Sequence, residues 1–298
     1  MRLVTRADLD GLACAVLMTA SEKIDEILLV HPQDITDKKV PITLNDILAN
    51  LPYHSSCGKW FDHHLLTESN ERPPEKFEGR YGLAPSAARV VFEYYIEKNP
   101  FLKKYETFIA ETDRLDSAQL NIDDVLDPKG YILLGYTLDP RTGLGAYQDY
   151  FKKLVQWLHS KPIEEIMEIP EVKERVQRIR EQDKTFREAT VANSRLDGNV
   201  LITDFRGVSP VPVGNRFLVY TLFPQANISL RVHWGPSREH VSVAVGHSIF
   251  NRTSRTSVGN LMSHYGGGGH KGAGHCLLPA ADADAKVAEM IATIKKDG

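Results

Sequence analysis

The chain has 298 residues, of which 42% are hydrophobic and 25% charged, and its formal net charge is −3. These proportions are typical of an ordinary soluble protein, and the length predicts two domains. No apolar run is long enough to cross a bilayer, which excludes a membrane-spanning protein, and the lack of an extended Lys/Arg stripe disfavours a binder of long duplex nucleic acid. The start, MRLVTRADLDG, has acids where a signal peptide would have an apolar stretch, so we expect a cytoplasmic protein.

The first half of the chain alternates short apolar runs with helical patterns, which predicts an α/β domain with a parallel sheet and flanking helices. Strands are predicted at residues 2–4, 26–30, 42–44 and 59–61, and helices at residues 12–20, 84–98, 101–110 and 150–158. From Pro170 a charged stretch with few apolar anchors predicts a long helix that bridges two domains, with a solvated surface helix as the alternative.

After Gly198 the chain is rich in β-forming residues separated by Gly, Pro and Asn, which predicts a smaller mixed α/β domain. Its predicted strands are residues 199–205, 216–223, 228–234, 240–250 and 276–278, and its predicted helices are residues 257–265 and 282–296. The predicted organisation is therefore a first domain at residues 1–170, a helical linker at 171–194 and a glycine-rich domain at 195–298.

Charge is distributed unevenly between these parts. Residues 195–275 carry eight Lys or Arg against three Asp or Glu, whereas the rest of the chain is acidic. This asymmetry favours metal binding in the acidic part and binding of an anionic substrate in the basic part, although uneven distribution by chance is the plain alternative.

Two acids follow the first predicted strand in TRADLDG, where the chain turns into a helix. Asp8 and Asp10 are separated by one residue, so both carboxylates can converge on one cation near the helix entrance. A helix N-cap accounts for one of the two acids and leaves the other unexplained, so a metal site is favoured.

A second cluster, Asp62-His63-His64, follows the predicted strand at residues 59–61. Open α/β sheets place their sites at the C-terminal ends of their strands. His63 is predicted to coordinate a metal ion, while Asp62 and His64 orient it or contact the substrate.

Two further features carry candidate chemistry. Asp113 and Asp116 in TDRLDSA are candidates for the metal site, with helix caps as an equal alternative for either acid. The four glycines before His270 let backbone amides approach a phosphate without obstruction by Cβ atoms, which predicts an anion site, with a flexible hinge as the alternative.

Together, LDG after the first strand, FDHH, TDRLDSA and GGGGHKGAGH resemble the DHH phosphoesterase superfamily with its DHH-associated C-terminal domain. The resemblance spans nearly the whole chain and keeps the order of the motifs. Members include oligoribonuclease and pAp phosphatases, cyclic-dinucleotide phosphodiesterases, single-strand exonucleases and exopolyphosphatase-like relatives. The resemblance implies a metal-dependent phosphoesterase with a parallel-sheet domain, a helical linker and a smaller mixed-sheet domain.

The resemblance also implies a two-metal site. It places Asp10, His63 and Asp113 on one manganese ion and Asp8 on the other, with Mg²⁺ or Co²⁺ as alternatives to manganese. It gives Asp62 and His64 catalytic roles, with His64 hydrogen-bonded to the substrate phosphate.

One ligand of this implied site is ambiguous and one is missing. The resemblance requires an aspartate that bridges the two metals from the end of an intermediate strand, and the candidate is Asp46, with Asp34 and Asp37 as rivals and a helix cap as its plain interpretation. The family's histidine four residues before the first aspartate is replaced by Val4, which cannot coordinate a metal.

The resemblance places the substrate on the C-terminal domain. It implies that an arginine upstream of the glycine run binds the terminal phosphate or nucleotide, and Arg252 is the candidate, with Arg255 as a neighbour able to do the same. The other implied substrate contacts are Gly267, Gly268, Gly269 and His270.

The sequence therefore predicts a metal-dependent phosphoesterase. Its substrate is expected to be a small phosphorylated anion, such as pAp, a cyclic or linear dinucleotide, polyphosphate or a short single-stranded oligonucleotide, and a homodimer is one expected assembly. The alternative, motivated by Val4, is a catalytically weakened nucleotide- or phosphate-binding protein that keeps the fold.

Overall fold

The structure is a computed structural model that describes residues 1–64, 66, 71–138 and 147–298. The chain divides into unit 1, Met1–Leu120 and Pro128–Ile179, and unit 2, Asn121–Asp127 and Arg180–Gly298. This division differs from the predicted ranges, because the boundary falls inside the long helix and a short segment before that helix belongs to unit 2. No helix in the described ranges is both long enough and apolar enough to span a bilayer.

Unit 1 contains a five-stranded sheet in which every neighbouring pair is parallel, as predicted. Its strands lie in the order β2-β1-β3-β4-β5. Their ranges are β1 Arg2–Thr5, β2 Glu26–Leu29, β3 Asp46–Ala49, β4 Lys59–Asp62 and β5 Gly79–Tyr81. Because the strands are parallel, the segments that follow them leave the sheet at the same edge.

The helices that begin in unit 1 flank this sheet, whose three central strands β1, β3 and β4 are largely buried. These helices are α1 Leu9–Ser21, α2 Pro32–Thr36, α3 Ala87–Tyr95, α4 Glu106–Asp116, α6 Gly130–Tyr136, α7 Tyr147–Ser160, α8 Ile163–Met167 and α9 Pro170–Ala192, with a 3-10 helix at Pro100–Tyr105. Ten consecutive residues of α1, Leu9–Met18, are buried, which makes this helix the centre of the core. It packs between the sheet and helices α3, α4 and α7.

The third strand does not lie where the sequence predicted it. Residues 42–44 are not a strand, and Leu44 is 78% exposed, whereas Ile47, Leu48 and Ala49 in β3 are fully buried. The predicted run ends in a turn closed by the Asp46 side chain, which accepts a hydrogen bond from the Thr43 backbone amide at 2.7 Å. Asp46 therefore begins a strand instead of following one.

Unit 2 is a mixed α/β domain, as predicted. Its six-stranded sheet has the order β10-β11-β9-β8-β7-β6, in which only β7 and β8 are parallel neighbours among the described strands. The strands are β6 Ser194–Asp197, β7 Val200–Asp204, β8 Ile228–Trp234, β9 His240–His247, β10 Gly268–His270 and β11 Ala273–Pro279. The helices are α5 Ile122–Leu126, α10 Leu218–Leu222, α11 Val258–His264 and α12 Ala283–Asp297, with a 3-10 helix at Pro236–Arg238.

The prediction of a strand at residues 216–223 of unit 2 is wrong. Residues 216–223 contain the short helix α10, in which three consecutive residues, Leu218, Val219 and Tyr220, are buried. The Tyr220 hydroxyl contacts the Ser229 hydroxyl and the Gly246 carbonyl, both at 2.8 Å, which ties the helix to strands β8 and β9. Tertiary packing here overrides the β propensity of an aromatic and β-branched run.

Candidate metal centre

The turn between β1 and α1 places two acids at the C-terminal edge of the unit 1 sheet. Asp8 is the N-cap of α1, and Asp10 lies in its first turn. The turn is tight enough to require glycine next, because a Cβ on Gly11 would lie 2.1 Å from the Arg6 carbonyl oxygen. The glycine of the LDG sequence therefore has a steric explanation, in addition to the chemical explanation for its aspartate.

Asp10 is a buried acid fixed by backbone amides. Only 1% of the residue is exposed, and its carboxylate accepts hydrogen bonds from the amides of Ala87 at 2.9 Å and Ala88 at 2.7 Å. These amides open α3, whose N-terminal end favours negative charge. Burial nevertheless raises the pKa of Asp10 well above its usual value, and the charges of Asp116 and Asp8 add to the rise. A bound cation would offset the free-energy cost of keeping this buried carboxylate charged.

His63 presents a ring nitrogen to the same place. Its Nδ1 lies 2.9 Å from the Ala84 carbonyl oxygen, which can only accept, so Nδ1 carries a proton and Nε2 is the nitrogen that faces the acids. Nε2 is buried and has no hydrogen-bond partner. It lies 3.7 Å from an Asp10 oxygen and 3.3 Å from an Asp116 oxygen.

Asp116, the last residue of α4, completes this group. Burial raises the pKa of its carboxyl, with an opposing effect from the neighbouring His63. One oxygen or nitrogen from each of Asp10, His63 and Asp116 lies within 4.8 Å of the other two, a spacing that suits ligands of one ion. We call these three residues the metal centre.

The sequence assigned Asp113 to this position, and the structure places it elsewhere. Asp113 accepts hydrogen bonds from Arg89 Nε at 2.9 Å and from the Ser86 hydroxyl at 2.6 Å. Ser86 is also the N-cap of α3. Asp113 therefore holds the N-terminus of α3 in place, and the amides of that terminus bind Asp10. Asp113 and Asp116 lie on neighbouring positions of one helix face, so spacing alone could not choose between them.

Asp8 lies beside the metal centre and is surrounded by hydrogen-bond donors. Its carboxylate accepts from the Gly11 amide at 2.8 Å and from Asn50 Nδ2 at 3.0 Å. The Arg6 guanidinium Nε lies 3.1 Å from its other oxygen. Sequence reasoning did not single out Arg6 or Asn50, although Asn50 follows the strand next to β1.

Asp46 is not brought to this group. It pairs with Arg2 across the first register position of β3 and β1, so it begins its strand, whereas the metal centre follows the strand ends. Both carboxylate oxygens contact the Arg2 guanidinium, at 2.7 and 2.9 Å. Because β3 begins at this residue, the structure does not bring Asp46 to the metal centre, and its role as a bridging ligand stays a prediction. The rival candidates Asp34 and Asp37 both lie within five residues of Lys39 and pair with it.

Val4 is fully buried on one face of the sheet. It packs in an apolar cluster that includes Ile35, Leu48, Leu51 and Trp60. A side chain at this position therefore enters hydrophobic core.

Asp62 and His64 form a pair next to the metal centre. Asp62 ends β4 and is 2% exposed, and its Oδ1 accepts from His64 Nδ1 at 2.8 Å. Burial opposes the charge of His64, but the hydrogen bond and the charge of Asp62 outweigh it and raise the pKa of His64 above 6.5. Asp62, His63 and His64 also lie close enough together for shared metal ligation, although the hydrogen bond already engages Asp62 and His64.

Two of the four glycines of the run in unit 2 lie in an edge strand. Gly268 and Gly269 belong to β10, which pairs with β11. A Cβ on Gly267 would lie 2.2 Å from the His275 carbonyl oxygen, and one on Gly269 would lie 2.3 Å from the Ala273 carbonyl oxygen. Close backbone approach therefore accounts for two of the glycines, while a Cβ on Gly268 would meet open space.

The other predicted substrate contacts of unit 2 lie near this strand's ends or in the loop before α11. His270 ends β10, and its Nδ1 accepts from the Gly272 amide at 3.2 Å. Arg252 is exposed and its Nε donates to the Ile249 carbonyl at 2.9 Å, whereas Arg255 Nε donates to the Asp297 carbonyl at 3.0 Å. Their roles in substrate binding stay predictions.

The metal centre fits a divalent cation. The buried carboxylate of Asp10, the partly exposed carboxylate of Asp116 and an imidazole nitrogen are ligands that Mn²⁺, Mg²⁺ and related ions accept. A backbone carbonyl holds the proton on Nδ1 of His63, as in many metal sites. Located where a parallel sheet opens to its loops, this arrangement defines the class of metal-assisted hydrolases.

Comparison with known proteins agrees with this class. No protein-family model and no curated protein matches the chain. Among solved structures, a pGpG-specific phosphodiesterase, PggH, from Vibrio cholerae is 40% identical, with a TM-score of 0.84, and the match covers 100% of this chain and 99% of that one.

Two more distant structures share the fold alone. The DHH domain of a member of the s1p family of ribosomal proteins is 13% identical with a TM-score of 0.60, covering 99% of this chain and 86% of that one. RecJ from Thermus thermophilus in complex with Mn²⁺ is 13% identical with a TM-score of 0.58, covering 99% of this chain and 52% of that one. The chain belongs to the DHH phosphoesterase superfamily.

Proposed function

We propose that this protein is a metal-dependent phosphodiesterase that hydrolyses the linear dinucleotide pGpG. The observation that carries the proposal is its 40% identity, over the full length of both chains, to a pGpG-specific phosphodiesterase. Addition of water across the internal phosphodiester of pGpG breaks the bond to the 3′ oxygen and yields two molecules of GMP.

The metal centre would hold the divalent ion through Asp10, His63 and Asp116. When bound, the ion supplies Lewis acidity and lowers the pKa of a coordinated water toward 7. The amides of Ala87 and Ala88 keep the Asp10 carboxylate in place, so the ligand geometry exists before the ion arrives. The Ala84 carbonyl does the same for His63 by holding the proton on Nδ1.

His64 is proposed to donate a hydrogen bond to the phosphate. Asp62 orients the ring through Nδ1 and favours the protonated form, so Nε2–H can face the anionic substrate. Asp62→Asn is expected to shift the pH at which kcat falls to a lower value, since the raised pKa of His64 depends on the Asp62 charge.

We propose Mn²⁺ as the preferred ion, with Mg²⁺ and Co²⁺ as weaker substitutes. Mixed imidazole and carboxylate ligands suit Mn²⁺ better than Mg²⁺, which prefers oxygen and keeps several waters. Activity with each ion in turn, after removal of metal by a chelator, checks the order.

Unit 2 is proposed to bind the terminal phosphate of the substrate through Arg252, His270 and the backbone of Gly267, Gly268 and Gly269. Replacement of Arg252 by Ala should raise KM for pGpG with little change in kcat. The predicted cytoplasmic location and the homodimer remain predictions.

Chromatography of reaction products tests the proposal directly. With Mn²⁺, pGpG should be converted to GMP faster than pAp, cyclic di-GMP, a short RNA or polyphosphate. His63→Gln should abolish the reaction, while His240→Gln, which changes an exposed histidine of unit 2, should not. Faster turnover of another compound, or none of pGpG, would contradict the proposal.

A further inference from the structure

Arg6 is a cation built into the turn that carries the metal-centre acids. It lies between β1 and α1, its side chain is 35% exposed, and its Nε contacts Asp8 at 3.1 Å. The guanidinium therefore lies in the turn that leads from β1 to Asp10 of the metal centre.

Asp8 is arranged as an anchor for this cation. Besides Arg6, it accepts hydrogen bonds from the Gly11 amide and from Asn50 Nδ2. All three partners direct positive charge or the positive end of a dipole at the carboxylate. A divalent ion bound to Asp8 would have to displace or face these donors, so Asp8 is poorly suited to hold one.

Asn50 fixes this arrangement. It follows β3 at the same edge of the sheet, is 1% exposed, and has a φ of 59°, a conformation that asparagine tolerates better than most residues. Its Nδ2 points to Asp8, and its buried Oδ1 has no hydrogen-bond partner. An uncharged amide thus lies at the strand end where the resemblance implies a carboxylate between two metals.

We propose that the site works with one divalent ion and one guanidinium, in which Arg6, anchored by Asp8, binds the substrate phosphate beside the single ion of the metal centre. A guanidinium has five N–H donors in a planar fork that matches phosphate oxygens, and Asp8 engages Nε–H. Arg6 supplies the second positive charge of the site. The phosphate role rests on the proposed function, whereas the count of metal ions does not.

Metal stoichiometry of the wild-type protein is the first test. Equilibrium dialysis and electron paramagnetic resonance with Mn²⁺ alone should find one ion per chain with the spectrum of an isolated Mn²⁺. Two ions per chain with an exchange-coupled spectrum would overturn the proposal. Both results can be obtained whether or not pGpG is a substrate.

Arg6→Gln is the second test, because the proposal predicts opposite changes in two affinities. Loss of a positive charge beside the ion should tighten Mn²⁺ binding about tenfold. Loss of a charged hydrogen-bond donor to the phosphate should raise KM for pGpG roughly 10-fold to 100-fold. Arg6→Lys should keep the weaker Mn²⁺ affinity of the wild type, because it keeps the charge.

The matched control is Arg178→Gln, which removes the same charge from an exposed ion pair on α9. It should leave both affinities unchanged. If Arg6→Gln weakens Mn²⁺ binding, or leaves Mn²⁺ binding and KM both unchanged, Arg6 has only a structural role and the proposal is wrong. If pGpG is not hydrolysed by any variant but the Mn²⁺ results hold, the proposed substrate fails and the single-ion site stands.

Discussion

Two buried aspartates at opposite edges of the unit 1 sheet show how position decides the role of an acid. Asp46 and Asp10 are each 1% exposed. Asp46 has a cation partner: although its burial opposes ionisation, the hydrogen bonds from Arg2 and Thr43 lower the pKa of Asp46. Asp10 has no Lys or Arg partner within the described ranges, and its pKa is raised. The charge of the first acid is neutralised within the protein, whereas the second acid is the one that we expect to bind a cation.

This contrast separates a structural acid from a functional one by a physical criterion. A buried carboxylate that is unpaired and adjacent to other acids makes the metal-free protein less stable, and such a cost persists where function requires it. The neighbouring Nε2 of His63 gives the same indication, because this buried nitrogen has no hydrogen-bond partner in the described structure. Four predictions sharpen the comparison.

The largest effect is expected from the metal centre itself. Asp10→Asn or His63→Gln should weaken Mn²⁺ binding by more than about 100-fold and abolish hydrolysis with it, since each removes a direct ligand. Isothermal titration calorimetry measures the affinity. Asp46→Asn is the matched control and should bind Mn²⁺ like the wild type; equal losses for Asp46→Asn and Asp10→Asn would remove the distinction between the two edges.

A large loss of stability is expected from Val4→His. The imidazole would enter the apolar cluster around Trp60, where it costs about 1–3 kcal/mol for the unpaired polar group and about 1–3 kcal/mol for excess volume. Urea denaturation measures the loss. A variant of unchanged stability that binds an additional Mn²⁺ ion would show that position 4 reaches the metal site.

A smaller loss is expected from Asp46→Asn. The change removes a charge-assisted pair with Arg2 at the far edge of the sheet, which should lower the free energy of unfolding by roughly 1.5–3 kcal/mol. Thermal and urea denaturation measure this, in the same variant that serves as the Mn²⁺ control. Unchanged stability would mean that Asp46 is not the structural acid described above.

The smallest effect is expected from Asp116→Asn, which should raise the free energy of unfolding instead of lowering it. The raised pKa of Asp116 means that the folded state binds more protons than the unfolded state above about pH 4, so this group makes metal-free protein less stable as pH rises. Asp116→Asn removes that penalty and, because solvent screens the charge of a side chain that is 30% exposed, should stabilise the chelator-treated protein by less than about 1 kcal/mol. The gain should be larger at pH 7 than at pH 5. A loss of stability at both pH values would show that the carboxylate is already compensated.

Much of the fold could be predicted from the sequence because hydrophobic periodicity and motif order are local signals. The edge of the sheet at which an acid lies depends on strand pairing, which is not a local signal. In the sequence Asp46 follows a short β-branched run, and only the pairing of β3 with β1 reveals that it begins a strand. The short helix α10 likewise depends on contacts with strands β8 and β9, which the propensity of its residues does not reveal.

The grouping of the metal-centre residues could be predicted only in part for the same reason. Asp10 and His63 follow strands, where the sequence signal is clear, but the third member of the group lies on α4. Asp113 and Asp116 are both acids on the inner face of that helix, and the choice between them depends on the hydrogen bonds of Arg89 and Ser86 to Asp113. No sequence pattern contains those contacts.

Anomalous scattering from a crystal soaked in Mn²⁺ and measured near the manganese absorption edge distinguishes one bound ion from two. We expect one anomalous peak in unit 1, within coordination distance of Asp10, His63 Nε2 and Asp116, with Arg6 still on Asp8. A peak bound by Asp113 or Asp46, or a second peak bound by Asp8, would contradict it.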